Sequence, residues 1–278
     1  MTHSGDDSDT GLPASLAAAW GLRERPAKGP RPGLTLGRIV DAAVSIAAQE
    51  GLAAVSMGRV AKELGVATMS LYRYVAAKDE LYVLMLDAAV GPPPPPLPAG
   101  AGWREALAEW SWAYRQALRR NRWTLRIPVS GPPATPNSFA WWERGLAALE
   151  RTALDEGEKL AMILVITGFV RNEVLMMTEI EEAVASSGAS PEEVMRRHER
   201  ILKQLADPAR YPAVARMLDV GVFTGESDPD EDFAFGLDTV LDGVAALVAR
   251  RSEPGTAAVE PVRDEPVARP AVRTRHGH

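Results

Sequence analysis

Between Gly65 and Leu81 the chain reads GVATMSLYRYVAAKDEL. Thr68, Met69, Ser70, Tyr72, Arg73, Tyr74 and Lys78 crowd hydroxyls, a thioether, a guanidinium and an ammonium into one short span. Hydroxyls and cations of this kind hold phosphate oxygens and base edges, and a thioether can touch a thymine methyl. The chemistry on offer is recognition of nucleic acid. A merely solvated helix face would be richer in Glu and Lys.

Those groups need a frame. Ser56–Leu64 and Thr68–Val75 read as two short helices, with Ser56 capping the first and Gly65 ending it in a tight turn. Ala61 lets the second helix cross closely, and Val60, Leu64, Val66, Leu71 and Val75 supply a miniature core. This is the pattern of a helix-turn-helix, whose second helix enters the major groove. The spacing alone also fits an ordinary helix pair in a bundle; the polar and aromatic face argues against that. A preceding helix starts at Thr35 and repeats Ile39, Ala42, Ala43, Ile46 and Ala47 up to Gly51. A following one starts near Asp79, where Asp79 and Glu80 suit the positive end of the helix dipole, and reaches about Val90.

Thr35 to Val90, and above all SMGRVAKELGVATMSLYRYVAAKDEL, resembles the DNA-binding domain of the TetR/AcrR family of transcriptional repressors. The resemblance implies that Thr68, Met69 and Arg73 face bases, and that Ser56, Ser70, Tyr72, Tyr74 and Lys78 hold phosphates. Lys78 also stands where a helix N-terminus can help to bind an anion. Arg23, Arg25, Lys28 and Arg31 precede this unit, either as an arm reaching DNA or as a solvated tail.

The whole-chain charge of −6 argues at first against a nucleic-acid partner. Its distribution matters more: Arg23 to Val90 carries nine Lys/Arg against seven Asp/Glu, so the acidity lies elsewhere. No Cys is present, which excludes disulfides, thiolate metal sites and cysteine nucleophiles. The first residues, MTHSGDDSDTGLP, do not read as a signal peptide, and the apolar run Leu160 to Val170 is too short to span a bilayer, so no membrane association is expected and a cytoplasmic protein is. GxSxG, HExxH and phosphate-binding glycine loops are all missing, so the chain does not read as an enzyme.

Composition divides the chain into a flexible, partly basic arm (1–33), the helix-turn-helix domain with its connecting helix (34–90), a polyproline spacer GPPPPPLPAG (91–100), a helical domain (101–251) and a disordered tail (252–278). No alternating β pattern of useful length occurs, and the fold class is all-α. PNSFAWWERGLAALERTALDEGEKLAMILVITGFVRNEVL and FAFGLDTVLDGVAALVARR are similar to the C-terminal domain of the tetracycline-repressor-like branch of that family. The resemblance implies a domain that binds a small molecule and dimerises through two helices, here about Asp155–Ser186 and Asp230–Arg251, with Leu237, Val240, Leu241, Val244 and Leu247 at the interface. Burial of that last helix within one subunit is the alternative.

Six of the seven Trp lie between Trp103 and Trp142. Trp110, Tyr114, Trp123, Phe139, Trp142 and Phe169 could line an effector pocket, with Asn172 or Glu173 orienting a polar group; the same aromatics could equally fill a core. The tetracycline repressor itself holds a magnesium–drug chelate through histidine, but here no His falls between Gly91 and Arg197. Neither a metal nor a cofactor is expected. The expected function is a homodimeric repressor that binds a palindromic operator on double-stranded DNA and is released by a small, largely apolar effector. The alternative is a DNA-binding regulator that is constitutive or controlled by a protein partner.

Overall fold

The computed structural model describes residues 12–22, 33–98, 100–128, 131, 134–223 and 228–253. The basic residues Arg23, Arg25, Lys28 and Arg31, and the tail beyond residue 253, lie outside the described residues. Eleven α-helices follow in order: α1 (Ala14–Ala19), α2 (Leu36–Glu50), α3 (Met57–Leu64), α4 (Thr68–Leu71), α5 (Lys78–Val90), α6 (Trp103–Arg120), α7 (Pro136–Ala148), α8 (Glu156–Ser187), α9 (Pro191–Leu205), α10 (Pro212–Asp219) and α11 (Pro229–Ser252). Two 3₁₀ turns, Leu52–Ala54 and Arg122–Arg126, complete the described elements.

Local chemistry places most helix ends. The Thr35 hydroxyl accepts from Arg38 N at 3.2 Å, and the Ser56 hydroxyl accepts from Arg59 N at 3.1 Å. Each satisfies one of the amides a helix start leaves free. Gly65 adopts φ +66°, which an L side chain resists, and Gly65 N and Val66 N donate to Lys62 O and Ala61 O to close the turn. Reciprocal capping boxes join Asp155 to Glu158 at α8 and Ser190 to Glu193 at α9.

Two cores form. The first joins Ile39, Ala43 and Ile46 of α2, Val60 and Ala61 of α3, Leu71, Val75, and Leu81 and Met85 of α5. Leu71 has no exposed surface, and truncating such a leucine to alanine costs about 2–5 kcal/mol. Leu16 of α1 and Trp123 and Ile127 from the Arg122–Arg126 region also enter this core. The second core joins Leu107, Trp110 and Leu118 of α6, Trp141 of α7, Ile163, Ile166, Val170 and Val174 of α8, and Phe233, Leu237, Leu241 and Val244 of α11.

α8 exceeds the sequence expectation. Leu160–Val170 alone is too short for a bilayer, yet the continuous helix through Arg171 is long and apolar enough to cross one by length and composition. Here one of its sides packs in the second core while Leu164, Val165, Met176 and Ile180 stay exposed.

The two bodies are joined by more than the chain. Around the C-terminal half of α5, Asn121 Nδ2 donates to Ala89 O at 2.9 Å, Ser138 N donates to the Asp87 carboxylate at 3.0 Å, and Trp141 Nε1 donates to Gly91 O at 2.9 Å. Within the stretch 1–33 expected to be a flexible arm, α1 is instead a helix that buries Ser15, Leu16 and Ala17, and it acts as a strap. Ser15 Oγ donates to Glu80 at 2.8 Å, Trp20 Nε1 donates to Ala134 O at 2.8 Å, and the Trp20 ring meets Phe139 of α7 edge-on at 5.5 Å.

Candidate nucleic-acid interface

α4 is held from below by Leu71, with Val75 just beyond its end, and both are fully buried. What remains points outward. Met69 is 74% exposed, Tyr72 and Arg73 are exposed, and the Arg73 side chain makes no hydrogen bond or ion pair among the described residues. A thioether so exposed is doing nothing for a core. Thr68 and Ser70 are half-buried on the same segment.

The α-helix is shorter than the spacing predicts: it covers Thr68–Leu71, and Tyr72 to Tyr74 continue as a turn in which Tyr74 N and Val75 N both donate to Leu71 O. Thr68, Ser70, Tyr72 and Tyr74 are poor helix formers, so nothing local sustains a longer α segment. α5 begins at Lys78, one residue before the expected Asp79.

Of the expected phosphate holders, Ser56, Tyr72 and Lys78 are exposed. Ser56 accepts from Arg59 N, which leaves its proton free to donate outward. Lys78 lies 5.0 Å from the Tyr82 ring centroid at the N-terminus of α5, beside amides that helix geometry leaves free. Tyr74 is different: its half-buried hydroxyl donates to Leu34 O at 2.9 Å, tying α4 to the start of α2. Its proton is committed to the fold. Arg59 is likewise engaged, by Glu50 and Glu63 at 2.6 and 2.7 Å, and its pKa is raised by hydrogen bonds to those two carboxylates.

The expected effector residues do not form one pocket. Trp110 and Tyr114 do come together, stacked at 5.5 Å, but their third partner is Trp141, not Trp142. Trp141 is the buried member of the pair and Trp142 is half-buried, since adjacent residues on a helix face different ways. Burial pushes the Tyr114 phenol pKa up, against the opposing charge and hydrogen bond of Arg171. Trp123 belongs to the other core, and Phe139 is 52% exposed against Trp20. Phe169 stacks on Phe233 and sits where a Cβ on Gly236 would lie 2.7 Å from its ring, so it fills the close approach of α8 and α11. Asn172 is exposed, with Nδ2 3.3 Å from Met176 Sδ.

Glu173 is committed too. It accepts two hydrogen bonds, at 3.0 and 2.8 Å, from Arg115, a residue that sequence reasoning missed. Arg115 is 2% exposed; it also donates to Asp230 at 2.5 Å and to Pro229 O at 3.1 Å, and its guanidinium lies over the Phe233 and Trp112 rings. Burial opposes its charge, but hydrogen bonds to Glu173 and Asp230 outweigh that and raise its pKa. No local signal marks Arg115, because its partners are far along the chain.

At the expected dimer face, Leu237, Leu241 and Val244 are buried within the single chain, and only Val240 and Leu247 of that set keep partial exposure. The stripe read as an interface is mostly the side of α11 that packs on α6 and α8. Its opposite side carries Phe235, 78% exposed.

Residues 39–85 match the family model described as "Bacterial regulatory proteins, tetR family", and residues 95–248 match "Tetracyclin repressor-like, C-terminal domain". The chain is 38% identical over 239 residues to the HTH-type transcriptional repressor DrrR1 of Streptomyces coeruleorubidus, covering 85% of this chain and 87% of that protein. Among solved structures, Streptomyces coelicolor ActR in complex with actinorhodin is similar at 28% identity and a TM-score of 0.66, covering 79% of this chain and 99% of that one. ActR has also been solved with (S)-DNPA, where the TM-score is 0.63, the identity 28%, and the coverage 77% of this chain and 98% of that one.

Proposed function

This chain belongs to the TetR family of bacterial transcriptional repressors, DNA-binding regulators and not enzymes, and we propose that it acts as a homodimer on a palindromic operator and is released by a small-molecule effector. The observation that carries the DNA reading is the α4 surface: Met69, Tyr72 and Arg73 exposed together on a segment pinned by Leu71. Thr68, Met69 and Arg73 read bases, while Ser56, Ser70, Tyr72 and Lys78 position the backbone.

The dimer reading rests on α8 and α11. Leu164, Val165, Gly168, Asn172, Met176 and Ile180 recur at helical spacing along one exposed side of α8, and Phe235 is exposed on the neighbouring α11. A second copy related by a two-fold axis would cover these apolar side chains and place two α4 segments in successive major grooves, about 34–36 Å apart. Asn172, a single polar group within that stripe, would fix the register of the pairing.

Effector control is supported by the solved complex of ActR with actinorhodin. The route to DNA runs through the grip on the C-terminal half of α5 and through Trp123 and Ile127, which carry the chain after α6 into the core of the DNA-binding unit. A ligand that favours another seating of that junction shifts the spacing of the two α4 segments, and with it the bound population.

Selection of random duplexes with the purified protein, followed by sedimentation of the complex, tests this. The expected result is a palindrome bound by two copies. Recovery of no sequence preference, or of a monomer on DNA, would remove the operator assignment.

A further inference from the structure

An open groove of about 420 Å³ lies beside the last turns of α6, apart from both the α4 surface and the outer side of α8. Trp112, Gln116, Arg119 and Arg120 enter it from α6, at spacings that put them on adjoining faces of one helix. Arg115, Arg122 and Asp230 of α11 complete its lining.

The guanidiniums here are not equivalent. Arg115 is held by Glu173, Asp230 and Pro229 O, and Arg122 pairs with Glu181. Arg119 shares Asp230 at 3.3 Å, while Arg120 has no side-chain partner among the described residues. Of the four guanidiniums that line the groove, three are thus paired with Glu173, Asp230 or Glu181, and that of Arg120 alone is unpaired among the described residues. Arginines in the last turn of a helix complement its dipole in any case. An indole wall, an amide and an uncommitted guanidinium around a volume of ligand size are more than that requires.

We propose that this groove binds a planar aromatic monocarboxylate, its ring lying against the open side of Trp112 and Gln116 and its carboxylate taken by Arg119 and Arg120. Guanidinium forks match carboxylates in plane and spacing, and a single unpaired guanidinium suits a monoanion better than a phosphate dianion. The inference rests on the effector reading and gives it a chemical class and a place. The site adjoins Arg122, whose sequence neighbour Trp123 is seated in the DNA-binding core, so a bound acid lies one residue from the junction.

The test titrates the full-length protein with 2-naphthoate and anthraquinone-2-carboxylate, and with their neutral carboxamides, by calorimetry. At least one acid should bind saturably, and about tenfold or more tighter than its amide. R120Q removes no intramolecular partner and should weaken the acid about tenfold or more while leaving the melting temperature in place; R119Q/R120Q should weaken it further. Lack of binding by both acids up to about 5 mM, equal binding of acid and amide, or unchanged affinity in R120Q would overturn the site. Operator binding, measured in parallel, separates the two readings. Acid binding that leaves operator affinity unchanged keeps the groove and refutes the effector role. Failure of acid binding with operator binding intact refutes the groove alone.

Discussion

Arg73 and Arg115 carry the same charge in opposite circumstances. Arg73 stands exposed beyond α4 with no side-chain partner among the described residues, whereas Arg115 is buried and donates to two carboxylates and a carbonyl. The DNA-binding unit keeps its chemistry on the outside, in side chains its small core does not need. The C-terminal unit uses its most conspicuous charge to hold α6, α8 and α11 together. A guanidinium's availability, more than its presence, separates recognition from scaffolding.

The contrast breaks most visibly at Arg115. R115M strands Glu173 beside the core, and removing one partner of a buried pair costs about 3–5 kcal/mol; chemical denaturation should show that loss. R115M/E173M removes both charges and should recover much of it, since apolar replacements of buried pairs are often neutral. A double variant as unstable as the single one would mean that Asp230 and Pro229 O carry the network.

R73A is the opposite experiment. It should leave stability within about 0.5 kcal/mol and cost about 1–3 kcal/mol in operator affinity, with relaxed preference at one base pair per half-site. K78A should weaken all duplexes alike and lower the salt slope by about one per contact, while Y72A, which removes no charge, should weaken binding with the slope kept. Equal slopes in K78A and the unmodified protein would take Lys78 off the phosphate.

S56A sharpens the comparison within one residue, because Ser56 is both a helix cap and a proposed phosphate donor. Loss of the cap costs about 1 kcal/mol of stability; S56D restores the cap but repels phosphate. If S56D recovers the melting temperature and not the operator affinity, the two roles are separate.

The smallest effect concerns Asp230, whose pKa is lowered chiefly by its hydrogen bond from Arg115. A depressed carboxylate contributes stability that is present above its unfolded pKa and disappears as pH falls through the folded one. D230N should therefore lower stability near neutrality and leave it unchanged at low pH, which flattens the acid arm of the profile; Asp230 is largely exposed, so the change will be slight.

Features set by neighbours in sequence were legible without coordinates. Thr35, Ser56 and Gly65 each act within one helical turn, and they appear as read. Leu71 and Val75 were legible as the buried residues that seat α4 and the turn after it, because short helices leave few ways to pack. The second half resisted. A Trp-Trp pair gives no local sign that Trp141 and not Trp142 turns inward, nor does Trp123 reveal that it serves the core of the other domain. Leu237, Leu241 and Val244 make a sound apolar stripe, but the stripe alone does not say whether its partner is the same chain or a second copy. Arg115 meets Glu173 and Asp230 only after three helices are assembled.

The strap formed by α1 changes where the functional unit begins. The matched family segment starts at residue 39, yet Ser15 binds Glu80, and the same Glu80 oxygen accepts from Ala76 N two residues before Lys78. A shortened protein cut at the matched boundary would lose that anchor, bare the α7 side of Phe139 and loosen the turn that presents Lys78. N-terminal trimming, whether by a protease, a later start codon or an engineer's choice of ends, would then alter the DNA-binding surface from a distance while leaving every residue of that surface in place.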